Sequence, residues 1–472
     1  MPRTEVVVPR ATMADVPLAA HELGFPFDTI YPAVFPGVAD TEKLQAGLQR
    51  ALVEIPLAAG VVVRDLSDGL RVTLAHPRAG VPFTSQSTHD LAARDLANIL
   101  DEGDIDDDGC TRRVMRWLLA DVANRSSGLG DLAEAGRMRV EDSVGMPVLR
   151  VRLTQASKCY VVCLQASHLV MDAWSLSHFW VAWSRALALL DDSSQTASTD
   201  SAFWWDRACF WSGVPDSCPG RTQAGAHFAA AYPTLLGQRE VELAAKKPYV
   251  NSGGMLWLRV SRRGMSALRE HVGAGAKTFD AIVSLLTPKD SEHFRFAYDV
   301  RLSRPDADSS TYIGNGACLV FGRVASRVSV QPSDVRRALD PAASAESLPS
   351  LDAVVNKPHL GCSYWSHDPP GFPAGNAMPP LDGPSGRMFV PGFFLPQLQK
   401  VHVPQSAHRG GVLAYVRRVR TDYHIAAYGH PKHLADVATR IKSDMTACGL
   451  DMEDVEVSST EVRIAVVVHA AL

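Results

Sequence analysis

Val161-Val-Cys-Leu-Gln-Ala-Ser-His168-Leu-Val-Met-Asp172-Ala-Trp-Ser175 is the stretch whose reading decides the fold. Tyr160 to Leu164 is short, apolar and rich in β-formers, as a strand of a covered sheet should be. From Ser175 to Leu190, Leu176, Phe179, Trp180, Trp183 and Leu187 recur at helical spacing, which predicts an amphipathic helix. Ser167 and His168 break the apolar run between them, and Asp172 follows His168 by four residues. An imidazole titrates near neutrality, so it can take the proton of a hydroxyl or amine that attacks a carbonyl. A thioester carbonyl is already activated and needs no covalent enzyme nucleophile. Asp172 would then hold the loop or the imidazole in place. The competing reading is a buried, hydrogen-bonded structural histidine, since H-x-x-x-D alone recurs by chance.

Outward from this stretch, strands and helices follow each other in both directions. Pro147 to Thr154 alternates through Val148, Leu149, Val151 and Leu153 and reads as a strand pairing with 159–165. Upstream lie an aromatic, Pro-rich strand over 24–37 and a helix from Glu42 to Glu54, with Asp40 and Thr41 as caps and Leu44, Leu48 and Leu52 on one face. Ile55-Pro-Leu-Ala-Ala-Gly60 leads into a hairpin, Val61–Asp65 and Leu70–Ala75, across a Ser-Asp-Gly turn. Downstream, Asp191 to Ser201 is Asp/Ser/Thr-rich without periodicity, a linker signal, and Trp204-Trp-Asp206-Arg207 follows. A domain boundary is expected between about 191 and 245 on that composition. The second half opens with a strand, Met255–Val260, and a helix, Met265–Val272. Thr278 is the expected N-cap of a helix through Leu286. A strand from Arg295 to Val300 ends in Asp299-Val-Arg301-Leu-Ser-Arg304-Pro305, and Tyr312-Ile-Gly314-Asn315-Gly316 comes next. Residues 369–396 read as a long Pro/Gly loop. Gly411–Arg418, Pro431–Cys448 and Val462–Ala471 read as strand, helix and closing strand.

At 472 residues the chain has ample core for two or three domains. Its net charge of −4 gives no electrostatic case for nucleic acid or an anionic membrane as main partner. The eight cysteines, Cys110, Cys159, Cys163, Cys209, Cys218, Cys318, Cys362 and Cys448, form no C-x-x-C pair and no disulfide framework. No zinc ligand cluster is visible. Asp104, Asp106, Asp108 and Gly109 mimic the start of a calcium loop, but its twelfth position is Met115, so 101–109 reads as a solvated acidic loop. Asp15 and Pro17 interrupt the apolar N-terminus, and the apolar runs are short for a membrane span, so a cytoplasmic protein is expected.

With these pieces in order, the chain resembles the BAHD-type acyl-CoA-dependent acyltransferases, fungal trichothecene acetyltransferase-like members among them. The segments that carry the resemblance are H-x-x-x-D at His168–Asp172, the helix and hairpin after the P-x-x-A-G run, the Asp206-Arg207 pair, and Asp299-Val-Arg301 followed by Tyr312-Ile-Gly-Asn315. The family's second arginine is displaced by one residue, to Arg304. Its D-F-G-W-G is degenerate here, at Gly371-Phe-Pro-Ala-Gly375 after Ser363-Tyr-Trp365.

The resemblance implies an α/β fold of two similar chloramphenicol acetyltransferase-like domains, mixed sheets with flanking helices, and an active site in a channel between them. The domains would be 1–200 with H-x-x-x-D, a crossover over 201–245, and a CoA-side domain over 246–472, with part of 380–415 packing on the first. It implies His168 as general base, Asp172 as an orienting group, and a structural ion pair of Asp172 with Arg301. It places Lys277, Thr278, Asp280, Asp299, Arg301, Arg304, Ser363 and Trp365 on the CoA side. Acyl-CoA would be a co-substrate, with a small-molecule alcohol or amine as acceptor, no bound metal and a monomeric chain. A carrier-protein-dependent condensation enzyme is the rival. Those carry H-H-x-x-x-D-G, where Ser167 and Ala173 stand here. A non-catalytic ligand-binding relative is the third reading.

Overall fold

In a computed structural model, described residues are 3–9, 13–18, 22, 28–64, 69–87, 143–155, 159–191, 203–218, 250–289, 291–304, 310–325, 330–340, 359–365, 377–378, 386–388, 412–419, 421–429, 431–450 and 455–465. The acidic stretch 101–109, Cys110 and Gly371–Gly375 lie outside them. The chain divides into two compact units, one of Met1–Gly213, Arg304–Gly316 and Asp368–Lys400, the other of Val214–Ser303, Ala317–His367 and Val401–Leu472.

The strands in chain order are β1 (Arg3–Val7), β2 (Val16–Pro17), β3 (Asp28–Pro36), β4 (Val61–Arg64), β5 (Leu70–Thr73), β6 (Val81–Ser87), β7 (Leu149–Gln155) and β8 (Cys159–Ser167). They continue with β9 (Val250–Val260), β10 (His293–Asp299), β11 (Ala317–Arg323), β12 (His359–Trp365), β13 (Ala377–Met378), β14 (Gly386–Met388), β15 (Val412–Val419), β16 (Asp422–Gly429) and β17 (Val455–Ala465). The helices are α1 (Thr41–Glu54), α2 (Ala173–Asp191), α3 (Arg207–Ser212), α4 (Arg262–Val272), α5 (Thr278–Leu286), α6 (Pro332–Leu339) and α7 (Pro431–Ala447).

In the first unit seven strands run β1-β6-β7-β8-β3-β14-β13, with β6 and β7 parallel, and a small sheet runs β2-β5-β4. Every residue of β8 is buried, as its apolar sequence demands. One face of the sheet meets α2. Phe35 of β3 stacks on Tyr160 of β8 (5.1 Å between centroids) and on Trp180 of α2 (5.9 Å). Helix α1 lies against α2, and the Trp183 indole donates to the Leu44 carbonyl at 3.0 Å. Gly47 permits that approach, because a Cβ there would meet the Leu187 side chain at 2.5 Å.

The other face is mixed and carries a polar cluster. Thr84 of β6, Arg150 and Arg152 of β7, and Cys163 and Gln165 of β8 sit together on it around a small cavity. Alternation explains this: β7 buries Leu149, Val151 and Leu153 against the helices and turns Arg150, Arg152 and Thr154 the other way.

In the second unit seven strands run β11-β10-β12-β15-β16-β9-β17, with β10–β12 and β12–β15 parallel and the rest antiparallel. Leu256, Leu258 and Val260 of β9 share its core with Met265 and Leu268 of α4 and with Leu434, Val437 and Ile441 of α7.

Several sequence expectations shift. Helix α2 starts at Ala173 rather than Ser175, because the Asp172 carboxylate caps it. Thr278 is the first residue of α5, not its cap; Lys277 holds the N-cap position. Lysine offers no oxygen, so the third helical residue supplies the cap, and Asp280 Oδ2 accepts from the Lys277 amide at 2.8 Å. The closing strand is Val455–Ala465, earlier than expected, with a full register against β9. Strands β1, β6, β11 and β16 carry no strong alternation and were not foreseen. Cys159, Cys163, Cys209, Cys218, Cys318, Cys362 and Cys448 are free thiols. No helix among the described residues is long and apolar enough to cross a membrane.

Replacing Asp280 by alanine removes the carboxylate bond to the Lys277 amide. The expected loss is about 1 kcal/mol of unfolding free energy, read from the urea midpoint.

Candidate active site

β8 ends at Ser167, and the chain turns sharply: the Ser167 carbonyl accepts from the amides of Val170 and Met171, both at 3.0 Å. His168 is the first residue of that turn and Asp172 the last before α2. The His168 and Asp172 side chains are buried, at 7% and 4% exposure.

Asp172 is fixed by backbone amides from two directions. Its Oδ1 accepts from Ser175 N at 2.9 Å, the N-cap bond of α2. Its Oδ2 accepts from Gly316 N, also at 2.9 Å. Two residues earlier the Ser175 hydroxyl joins the same segment, donating to the Gly314 carbonyl at 2.7 Å and accepting from the Gly314 amide at 2.9 Å. Asn315, fully buried, donates its side-chain amide to the His168 carbonyl at 2.7 Å. The Tyr312-Ile-Gly-Asn-Gly316 segment therefore clasps the H-x-x-x-D turn through backbone and short side chains. The sequence pattern named the segment but not this task.

A second clamp comes from Arg207, the arginine of the Asp206-Arg207 pair. Asp206 caps α3, its Oδ1 accepting from the Cys209 amide at 3.0 Å. Arg207 points inward at 3% exposure. Its Nε reaches both oxygens of Glu22, at 2.8 and 3.0 Å, and Nη2 donates to the Val170 carbonyl at 2.9 Å. Glu22 is fully buried. Nothing in its local sequence marks Glu22, because the pairing spans 185 residues.

Burial holds the His168 imidazole below its ordinary value of 6.5; the nearby Asp172 carboxylate and a backbone hydrogen bond pull the other way and do not prevail. The ring is therefore neutral at pH 7 and able to accept a proton.

The remaining residues singled out in the sequence lie elsewhere. In the first unit, Arg304 lays its guanidinium over Trp204 (5.4 Å) and Phe210 (5.0 Å) and donates to the Phe210 carbonyl at 2.8 Å. Phe210 in turn stacks on Tyr312 at 3.7 Å. In the second unit, Arg301 Nη1 meets Asp299 Oδ1 at 3.0 Å, and Asp299 also accepts from the Arg301 amide. Lys277 is exposed at the start of α5, Thr278 is half-buried beside it, and Asp280 is buried in its cap. Ser363 is half-buried on β12, and Trp365 ends that strand. Of the expected site residues, then, His168 and Asp172 share one turn, while Lys277, Thr278, Asp280, Asp299, Arg301, Ser363 and Trp365 belong to the second unit.

No protein-family model and no curated protein sequence matches the chain. Solved structures do. TRI101 of F. graminearum, complexed with coenzyme A and T-2 mycotoxin, matches with a TM-score of 0.55 at 14% identity, over 92% of this chain and 99% of that one. Vinorine synthase matches at 0.52 and 13%, over 93% and 97%. The first condensation domain of the CDA synthetase matches at 0.51 and 13%, over 93% and 97%. The chain has the mixed α/β, chloramphenicol acetyltransferase-like fold that these structures share.

Arg207→Met leaves the Glu22 carboxylate buried without its cation, which should cost about 3–5 kcal/mol of stability. Glu22→Leu with Arg207→Met should recover much of that loss in guanidinium unfolding. Unaltered stability of the single variant would show that the pair does not hold the turn.

Proposed function

We propose that the chain is an acyltransferase that moves an acyl group from acyl-CoA to a hydroxyl or amine of a small-molecule acceptor. The observation that carries the reading is a neutral, buried imidazole on a turn whose carbonyls and carboxylate are held by Asn315, Arg207, Ser175 and Gly316. Such a group is fitted to proton transfer from a fixed position. The fold's occurrence in TRI101 with coenzyme A bound beside T-2 mycotoxin or deoxynivalenol supports the donor and the kind of acceptor.

In this mechanism the His168 ring takes the acceptor's proton as the oxygen or nitrogen attacks the thioester carbonyl. The tetrahedral oxyanion collapses, and the thiol of CoA leaves with the proton returned by the imidazolium. Asp172 does not react. Each of its two oxygens accepts from a backbone amide, so it fixes the turn and offers its negative charge to the imidazolium. For CoA, exposed Lys277 is free of the internal packing that engages Arg301 and Arg304, and it is the cation we assign to a CoA phosphate. The pairing of Asp172 with Arg301 belongs to this proposal too; coupling in a double-mutant cycle of the two alanine variants tests it. The fold's occurrence in a condensation domain favours a second reading, in which the thioester arrives on a carrier protein.

The reaction is tested by following CoA thiol release from a panel of acyl-CoAs with a mixed pool of alcohols and amines. His168→Ala should lose about 10²–10⁴-fold of acceptor-dependent release. Release surviving in that variant removes His168 as base, and release only from a carrier-bound thioester selects the second reading.

The pH dependence has a definite sign. With its folded value below 6.5, His168 is neutral and active above that pH, so kcat/KM should fall through an acid limb centred below 6.5. Stability runs in the same direction. The unfolded chain takes up the proton first, so the contribution of the neutral ring is present above 6.5 and lost as pH falls through the lower folded value. Both are read from a pH series of rates and melts, with His168→Ala as the control lacking this step.

A further inference from the structure

Two segments far apart in sequence run side by side, and between them they hold the His168 turn. The first contains Trp204 and α3, and its Arg207 braces the Val170 carbonyl. The second runs from Arg304 to Gly316 and engages Asp172, Ser175 and the His168 carbonyl through Gly316, Gly314 and Asn315. The two are joined at Trp204, whose amide donates to the Thr311 carbonyl at 3.3 Å and whose carbonyl accepts from the Ile313 amide at 2.7 Å. Further along, Phe210 stacks on Tyr312 at 3.7 Å, and its carbonyl accepts from Arg304 at 2.8 Å.

Each segment runs on into a buried cysteine. Cys218 lies just beyond α3 and Cys318 two residues beyond Gly316, and each is 1% exposed. Their side chains share a hydrogen bond, the next contact in the series along the two segments. In the β10–β11 register Cys318 stands opposite Tyr298, and its thiol donates to the Tyr298 carbonyl at 3.7 Å. Both cysteines are reduced in this structure. A single buried thiol is ordinarily a small apolar filler. Two that touch have side chains converging on one point, and divergent side chains are what forbids a disulfide.

We propose that Cys218 and Cys318 form an oxidation site, a thiol pair that hydrogen peroxide converts to a disulfide, fixing the two clamping segments to one another. The step balances. One cysteine sulfur attacks a peroxide oxygen and the O–O bond breaks, leaving a sulfenic acid and one water. The second sulfur attacks the sulfenic sulfur, the S–O bond breaks, and the S–S bond forms with loss of a second water. Two electrons pass from the two thiols to one peroxide. The hydrogen bond to Cys218 and burial hold the Cys318 thiol well above its ordinary value, so thiolate is scarce at neutral pH and conversion is slow. Once formed, the bridge closes a loop on the order of 100 residues, which removes conformational freedom from the unfolded chain. It holds the turn whatever chemistry His168 performs, so the acyltransferase reading can fail without it.

The test treats the full reduced chain with a few equivalents of hydrogen peroxide at mildly alkaline pH, then alkylates the remaining thiols in denaturant. Peptide mass spectrometry without reduction should show the Cys218 and Cys318 peptides joined, less two hydrogen atoms. The Tm of the treated chain should rise by about 5 °C, and dithiothreitol should reverse the rise. Cys218→Ser and Cys318→Ala should each lose both the joined peptide and the shift, whereas Cys209→Ser, which removes an exposed thiol, should keep both. Where a core variant folds poorly, the joined peptide and its reversal in the wild type decide the matter alone. Alkylation of both cysteines after treatment, a sulfinic acid on one beside an intact thiol on the other, or bridges from Cys218 to a different cysteine would overturn the site. A joined peptide with an unmoved Tm would overturn its role in holding the segments.

Discussion

One carboxylate holds the candidate site together. Asp172 has two oxygens, and each accepts from a backbone amide, one at the start of α2 and one at Gly316. The first bond decides where the helix begins, and the second ties that beginning to a segment remote in sequence. The turn that carries His168 lies between β8 and this anchored point, so its path is constrained at both ends. Amides make a better anchor than a cationic side chain would, since they have no rotamers to lose and cannot swing away. The negative charge stays close to the imidazole without having to bond it.

Around this anchor, among the described residues, buried charges are set against counterparts. Glu22 and Arg207 are both removed from solvent, and their pairing is repaid by a third bond to the Val170 carbonyl, so the guanidinium is a brace for the turn as well as a counter-ion. Carboxylates elsewhere serve the backbone in the same manner: Asp280 bonds the Lys277 amide, and Asp334 bonds the Gln331 amide.

The parts legible in the sequence were those written in local pattern. The apolar run of β8, the spacing of Leu176, Phe179, Trp180, Trp183 and Leu187, and the Asp40 cap of α1 all rest on neighbours a few residues apart. His168 and Asp172 were visible for the same reason, as a polar break between a strand and a helix. Glu22 was not, because a single glutamate in an unpatterned stretch says nothing of an arginine 185 residues on. Arg150 and Arg152 were in view as the polar half of an alternating strand, yet alternation normally turns such residues to solvent; only the register with β6 and β8 shows them lining a cavity. Thr278 illustrates a local rule overruled by another. A threonine at a helix start is a good cap, but here Asp280 reaches back to the Lys277 amide, so Lys277 takes the N-cap position and Thr278 is the first helical residue.

The bonds that define the His168 turn are long in sequence: 137 residues between Gln165 and Asp28, 144 between Gly316 and Asp172, 147 between Asn315 and His168, 185 between Arg207 and Glu22. Each closes a loop whose entropy must be overcome before the contact gives anything back. During synthesis the H-x-x-x-D motif leaves the ribosome well before its clasp does. A chain made only as far as α2 carries the motif but not the site, since Gly314, Asn315 and Gly316 are still to come. The base is thus a late product of folding, assembled only after most of the first 316 residues are in hand.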